Sequence, residues 1–230
     1  MASSPLAEPH AHDAPPHPAL AHQFDTMEQQ KESSTLGMWL FLVTEIMFFG
    51  GLFLTYVVYR SKYPAAFSAA SHTLDVLLGG INTAVLIGSS LTMALAIWAA
   101  QMNWRKGIVL FLLATIALGS VFLGIKAVAY TDKFKHHHVP GPSFHFEDPR
   151  VPPEHAEIFF SLYFIMTGLH ATHMIIGIGV LIVMIILSWK GKYGSEYFNP
   201  LEMTGLYWHF VDIVWIFLFP LLYLLGAHAR

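Results

Sequence analysis

Five side chains that could do chemistry stand out among the ionisable groups in the long apolar stretches of this sequence, where such groups are unfavourable to place. They are Glu45, His170, His173, His209 and Asp212. Imidazole and carboxylate groups can bind zinc, copper or non-haem iron, and they can also take up and release protons. An ionised side chain at the centre of a membrane costs about 3 kcal/mol on insertion scales, so such residues usually face protein, water or a partner. These five positions are therefore the first candidates for function.

The spacing of these residues brings some of them together. His170 and His173 stand three residues apart, as do His209 and Asp212, so each pair shares one helical face. With Glu45, they could form a metal site. Because His-x-x-His is frequent in apolar helices, we favour a packing interpretation instead. In it, each histidine bonds a neighbouring hydroxyl or carbonyl, and His209 and Asp212 form a packed polar pair.

Glu45 is the most informative of these residues. It lies near the middle of the otherwise uncharged apolar run 36–59. A carboxyl group that is removed from water favours its protonated form, which suits either a structural hydrogen bond or a proton relay. The residue types alone leave both roles open.

The elements that position these residues are predicted to be membrane helices. The chain is 55% hydrophobic and only 12% charged, which is typical of a polytopic membrane protein. Strands are disfavoured because neither regular turn signals nor polar alternation is present. Five apolar stretches reach the roughly 20 residues that a bilayer requires. They are residues 36–59, 74–100, 107–130, 158–189 and 201–226. We therefore predict an all-α membrane protein with five transmembrane helices.

Two polar regions flank or interrupt these stretches. Residues 1–33 combine Pro, Ser and acidic residues with histidines and lack the apolar segment of a secretory signal, so we expect a disordered, His-rich polar tail. Residues 34–230 then form one five-helix membrane domain. The proline-rich segment 131–157 cannot be a continuous helix, and we interpret it as an exposed loop. It carries His136, His137, His138 and His145.

Smaller signals concern packing and orientation. Small residues between 79 and 92, including Gly80 and Ser89, predict close helix approach, and we expect this face to meet a larger partner. Lys126 lies toward one end of its stretch and is expected to extend to the membrane interface in a structural role. The basic turn 103–106 favours a cytoplasmic N-terminus. The net charge of −3 without a basic stripe gives no reason to expect nucleic-acid binding, and the absence of cysteine excludes thiolate-ligated metal centres.

Four motifs of this sequence resemble subunit III of haem–copper terminal oxidases. They are TEIMFFGGLF at 44–53, INTAVLIGSSLT at 81–92, TGLHATHMIIG at 167–177 and YWHFVDIVW at 207–215. The motifs occur in the family's order and cover the chain from Leu36 to the C-terminus. The chain is similar to the five-helix bacterial form, which matches the last five helices of the seven-helix form. It departs from the pattern at Ala129, where relatives often have glutamate.

The resemblance implies a non-catalytic membrane subunit in aerobic respiration. Family members are all-helical and lie against the catalytic subunit, while haem and copper are held in other chains. For this chain, the resemblance implies a bacterial plasma-membrane location and no bound cofactor. It implies as partners oxidase subunits I and II, phospholipids, and cytochrome c or quinol through the complex.

The resemblance also gives roles to individual residues. Glu45 matches a buried carboxyl near a lipid-filled cleft, where subunit III sustains proton uptake and protects the catalytic subunit from inactivation. The other matching positions have no catalytic role or metal to inherit, which leaves polar packing or lipid contacts. They are His170, His173, Glu202, His209 and Asp212.

The electron donor separates branches of this family. The residues 45–49 resemble the cytochrome c branch more closely, so we favour a proton-pumping cytochrome c oxidase. Quinol oxidases share the five-helix form and frequently a His-rich tail, and they are the alternative. Two other classes are a b-type haem cytochrome that uses His170 or His173 with His209, and a proton-coupled transporter that uses Glu45.

Overall fold

The structure, a computed structural model, describes residues 18–136, 138–141, 144–146, 148 and 151–224. The described residues form helices without strands, as the sequence predicts. The helices are α1 Met27–Lys62, α2 Pro64–His72, α3 Val76–Gln101, α4 Arg105–Lys135, α5 Pro153–Trp189 and α6 Asn199–Phe219, which continues as the π-helical turn Pro220–Leu224. Five of these helices, all except α2, are long and apolar enough to cross a membrane. The predicted all-α fold with five membrane-spanning helices is therefore confirmed.

Helix α1 begins earlier than the first apolar stretch. The Oγ1 atom of Thr26 accepts a hydrogen bond from the backbone N–H of Gln29, which caps the helix. The buried side chain of Gln30 accepts from the backbone N–H of Ala21 at 2.8 Å and donates to the carbonyl of Ala19 at 3.2 Å. The helix thus includes residues 27–33, which the sequence analysis assigned to the polar tail. Residues 1–17 of that tail lie outside the described part.

The short helix α2 was not predicted from the sequence. Pro64 starts it at a position where the missing N–H is harmless. Phe67 is buried and makes edge-on contacts with Tyr56 of α1 at 5.2 Å and Phe159 of α5 at 5.4 Å. Nine residues are too few to span a membrane, so the helix closes the end of the bundle instead.

Two tight turns at the opposite end make α3 and α4, and also α5 and α6, antiparallel neighbours, as predicted. The turns contact each other. Asn103 adopts a left-handed conformation, with φ 54°, and its Oδ1 atom would lie 2.7 Å from a Cβ atom at Gly194. The two turns therefore approach each other closely at Gly194.

Trp208 of α6 lies at the centre of the bundle. It is fully buried, and its indole N–H donates to the Oγ atom of Ser89 on α3 at 3.1 Å. A Cβ atom at Gly119 of α4 or Gly177 of α5 would lie only 3.0 Å from its ring. Four helices thus converge on one indole. This is the close packing of small residues that helix association in membranes requires.

Helix α1 is packed on only one side. Leu40, Met47 and Leu54 are 67%, 73% and 65% exposed, whereas Phe49 is 2% exposed and lies on the face toward α5 and α6. The exposed face is apolar, so it suits lipid chains or the membrane helices of a partner.

Candidate functional site

The centre of the candidate site is a contact between α1 and α5. The Oε2 atom of Glu45 lies 3.3 Å from the Nε2 atom of His173, and both side chains are largely buried, at 19% and 16% exposed. The sequence analysis singled out both residues but did not predict that they would meet. The contact places a carboxyl and an imidazole group together in an apolar region, about 22 Å along α1 from Gln30.

The hydrogen bond at the second nitrogen of His173 fixes the tautomer of its imidazole ring. Its Nδ1 atom lies 2.9 Å from the carbonyl oxygen of Leu169. A carbonyl can only accept a hydrogen bond, so Nδ1 carries the proton, and this tautomer is inferred from its partner. Nε2 is then the acceptor nitrogen, and it faces the Glu45 carboxyl. The contact is close but not a hydrogen bond, because Oε2 of Glu45 has no hydrogen-bond partner among the described residues.

The surroundings of His173 fix its position. The ring of Phe49 packs edge-on against the imidazole at 5.4 Å. The hydroxyl of Tyr207 on α6 donates to the backbone carbonyl of His173 at 2.9 Å. Interactions between charged or polar groups are strengthened in such a poorly solvated region. The Glu45 and His173 side chains are therefore held in contact by residues of three helices.

His170 lies on the same helix but faces another part of the bundle. It is 1% exposed, and its ring lies 5.3 Å from both Phe122 and Trp215. Neither ring nitrogen has a hydrogen-bond partner among the described residues. The predicted bond to a hydroxyl or carbonyl is therefore wrong for His170. Its partners are aromatic rings because the helix turns it away from the face that carries the Glu45 contact.

His209 and Asp212 do not form the packed polar pair that their spacing predicts. The Nδ1 atom of His209 instead lies 2.6 Å from the Oγ atom of Ser90 on α3, so this histidine does meet a hydroxyl as expected. Asp212 is 3% exposed, and neither carboxyl oxygen makes a hydrogen bond within the described residues, although Ser89 and Ser90 lie beside it. Both side chains face α3, and His209 contacts Ser90 there rather than Asp212.

These positions also bear on the metal-site alternative. His173 is already engaged with Glu45 and with the carbonyl of Leu169, and His170 lies between aromatic rings. Within the described ranges, no group of three or more His, Asp or Glu side chains is arranged to hold a metal ion. The metal-site alternative therefore has no geometric support in this part of the chain, while the absence of a bound cofactor stays a prediction.

Glu202 lies far from the Glu45 contact. It belongs to the first turn of α6, and it lines a shallow surface cavity with Gln30 and Lys31 near the start of α1. The structure thus places Glu202 at one end of the bundle and does not bring it to the other candidate residues.

The sequence analysis predicted the position of the Lys126 side chain wrongly. It does not extend to the interface: it is 5% exposed, and its Nζ atom donates to the Tyr223 hydroxyl at 3.0 Å. The ammonium group also lies 4.1 Å above the ring of Trp215. The sequence contains a signal for this inward position. Lys126 precedes the charged residues Asp132 and Lys133 by nearly two helical turns, and it therefore lies deeper in the apolar stretch than they do.

Comparisons with known proteins identify the family of this chain. A sequence model of the family described as "Cytochrome c oxidase subunit III" matches residues 21–227. The chain is 34% identical over 193 residues to "Cytochrome c oxidase subunit 3" of Synechocystis sp., covering 82% of this chain and 74% of that protein. It is 32% identical over 203 residues to "Quinol oxidase subunit 3" of Bacillus spizizenii, covering 87% and 92%.

A third relative is similar to this chain to nearly the same extent. "Cytochrome c oxidase subunit 3" of Alkalihalophilus pseudofirmus is 32% identical over 193 residues, covering 84% of this chain and 86% of that protein. The family match covers nearly all of the chain, including the five membrane-spanning helices and the Glu45 contact. The chain therefore belongs to the cytochrome c oxidase subunit III family.

Proposed function

We propose that this chain is the third, non-catalytic subunit of a cytochrome c oxidase in a bacterial plasma membrane, with its N-terminus in the cytoplasm. Its partners are oxidase subunits I and II, which hold the haem and copper, and phospholipids of the surrounding membrane. Membership of the subunit III family supports this assignment. Five helices with apolar outer faces fit a subunit that lies in the membrane against larger chains.

The observation that carries the proposed role is the Glu45–His173 contact. Carboxyl and imidazole groups can each take up and release a proton, and here the two lie 3.3 Å apart. The contact lies on the inner side of α1, and the outer face of this helix is exposed. We infer that the pair accepts a proton, holds it in a poorly solvated region and returns it, which supports proton uptake by the complex during turnover.

The proposed role is a supporting one. Glu45 and His173 can exchange protons but cannot carry electrons, so oxygen reduction belongs to the partner subunits. The second nitrogen of His173 is bonded to a backbone carbonyl, which orients the ring toward Glu45. Loss of the pair should slow proton supply or shorten the lifetime of the complex without abolishing its chemistry.

The electron donor is best assigned to cytochrome c, on the resemblance of residues 45–49 to that branch. A quinol is the second candidate, because the Bacillus spizizenii relative named as a quinol oxidase subunit is matched over 92% of its length.

Purification of the native complex through a tag on this chain tests both points. Co-purification of two larger chains with haem, and oxygen consumption driven by reduced cytochrome c, are the expected results. Oxygen consumption driven by a quinol alone would transfer the assignment to the quinol branch. A chain that purifies alone from native membranes would contradict the subunit role.

A further inference from the structure

A cavity of about 280 Å³ lies at the end of the bundle where α3 begins and α4 ends. It is bounded by α3, α4, α5 and the π-helical turn, and Lys126 reaches into it from α4. The cavity is separate from the Glu45 contact. His173 of α5 faces Glu45, whereas His170 of α5 faces Trp215, the ring that Lys126 also contacts. Its volume has room for roughly nine water molecules at about 30 Å³ each, enough for a small polar group but not for a whole lipid.

Lys126 has hydrogen-bonding capacity that the described residues do not use. Its ammonium group has three N–H donors and gives one of them to the hydroxyl of Tyr223. The ring of Trp215 stabilises the positive charge from one side. Two carboxylates, Asp75 and Asp132, line the cavity, but within the described residues neither forms an ion pair with Lys126, and Asp132 contacts Lys133 at 3.7 Å instead. An anion in the cavity would complete the surroundings of Lys126.

A second buried polar group lines the cavity and could donate to the same occupant with its amide nitrogen. Asn82 lines the cavity from α3, is 1% exposed, and has an Oδ1 atom without a hydrogen-bond partner among the described residues. The oxygen and nitrogen of an asparagine amide can exchange places by a flip, so Asn82 can present an N–H donor to the cavity. Lys126 and Asn82 together offer donors from two helices to one acceptor group.

Part of the cavity lining is apolar and reaches the outer surface of the bundle. Leu78, Ile125 and Val128 form this part, and Val128 is 67% exposed on the surface that meets the membrane. Lys126 lies about 9 Å below Asp132 along α4, which is near the depth where lipid headgroups give way to acyl chains. Donors inside and apolar side chains outside suit a ligand that is itself part anionic and part apolar.

We propose that this cavity binds the phosphate of an anionic phospholipid, with Lys126 and Asn82 donating to its oxygens and the acyl chains lying along Leu78, Ile125 and Val128. A phosphodiester satisfies the buried ammonium, and the chains cover the apolar part of the lining. The site differs from the Glu45 contact and does not depend on the electron donor.

Ala129 gives the sharpest test of this proposal. It lies three residues after Lys126 on the same helical face and lines the same cavity. The substitution Ala129→Glu places a carboxylate within reach of the ammonium and fills the space that the phosphate would occupy. The variant should keep Lys126 paired and the bundle folded while it excludes the lipid.

The experiment counts lipids retained by the full chain, purified with the chains that accompany it and exchanged into detergent with phosphatidylglycerol or phosphatidylcholine. Native mass spectrometry should find one tightly held phosphatidylglycerol more per chain in the wild type than in Lys126→Met or Ala129→Glu. Loss of the charge-assisted bonds should weaken this binding about tenfold or more. The matched control Lys135→Met, on the exposed end of the same helix, should retain the lipid.

Several outcomes would overturn the proposal. Equal retention by the wild type, Lys126→Met and Ala129→Glu would show that the cavity holds no lipid. Equal retention of phosphatidylcholine would remove the requirement for an anionic lipid, and displacement by inorganic phosphate alone would identify a site for a free anion. Thermal unfolding of each variant separates loss of the site from loss of the fold. The lipid count is independent of oxygen reduction, so its failure would leave the proposed role of Glu45 unchanged.

Discussion

The carboxyl oxygen Oε2 of Glu45 lies 3.3 Å from Nε2 of His173 and joins α1 to α5 across an apolar interface. Helix α1 is exposed along most of its outer face, so its position in the bundle depends on contacts of its inner face. The Glu45–His173 contact is one of them. The contact can therefore serve both protonation and assembly. Variants that keep the shape but change the titration separate the two roles.

The first prediction concerns Glu45→Gln, which keeps the shape of the side chain, places an amide donor beside His173 and removes the titratable group. We expect the complex to assemble and to begin turnover at a near-normal rate. Inactivation during turnover should be faster, or proton uptake slower, at high pH, where protons become scarce. A positioned acid or base in the reaction itself would contribute about 10²- to 10⁴-fold, so initial oxygen consumption distinguishes the roles. Carbodiimide should label the native residue and leave the variant unlabelled.

A fully assembled Glu45→Gln complex that cannot reduce oxygen would contradict this supporting role. The matched control is Glu202→Gln, which changes a carboxyl at the far end of the bundle. We expect the control to keep the native rate of inactivation.

The second prediction concerns the coupling between the two residues. His173→Asn leaves the largely buried Glu45 carboxyl without its imidazole partner, which should reduce the free energy of unfolding by about 1 to 3 kcal/mol. Combination with Glu45→Gln should cost less than the sum of the two single changes, with a coupling of about 0.5 to 3 kcal/mol. Thermal unfolding of the four proteins in detergent measures this cycle. Additive effects would mean that the observed contact does not contribute to stability.

The third prediction tests the packing around Trp208. Gly177→Val should be destabilising by about 1 to 3 kcal/mol, because a Cβ atom at this position would lie 3.0 Å from the indole ring. Gly179→Val on the same helix is the matched control, since a Cβ atom there meets nothing within 4 Å. The difference between their midpoints of thermal unfolding gives the cost of the clash. Equal midpoints would show that α5 does not approach Trp208 closely.

The fourth prediction revises what the sequence indicates for the small residues of α3. A Cβ atom at Gly80 would contact nothing within 4 Å, so Gly80→Leu should weaken co-purification with subunit I while the chain itself stays folded. Ser89 is fully buried and accepts from Trp208, so Ser89→Leu should disrupt the chain's own bundle. The measurements are pull-down of subunit I and thermal unfolding. Unchanged co-purification of Gly80→Leu would remove this face from the partner interface.

The fifth prediction is that the purified chain alone binds neither haem nor copper. The imidazole of His173 is engaged at both nitrogens, and His170 is enclosed by aromatic rings. Elemental analysis and visible spectra should therefore show no stoichiometric metal. A metal bound through His170, His173 or His209 would contradict the non-catalytic assignment and favour a b-type cytochrome.

Some features of this protein follow from its sequence because they depend on neighbouring residues. The apolar run 107–130 predicts helix α4 at nearly its observed position, since a membrane requires about 20 apolar residues and internal satisfaction of the backbone. The same local reasoning identified Glu45 as an unfavourable and therefore informative residue. It missed α2, because nine residues carry too little apolar length to be recognised.

Tertiary structure decided which side chains meet. The sequence shows that His170 and His173 share a helix, but only the packing of α5 between α1 and α6 directs His173 toward Glu45 and His170 toward Trp215. Lys126 turns inward because Tyr223 and Trp215 reach it from the end of α6. Such contacts join residues that are distant along the chain, and the rotation of each helix about its axis sets them. Because every helix here is largely apolar on all sides, the sequence determines where the helices lie along the chain, and the packed bundle determines which way each polar side chain faces.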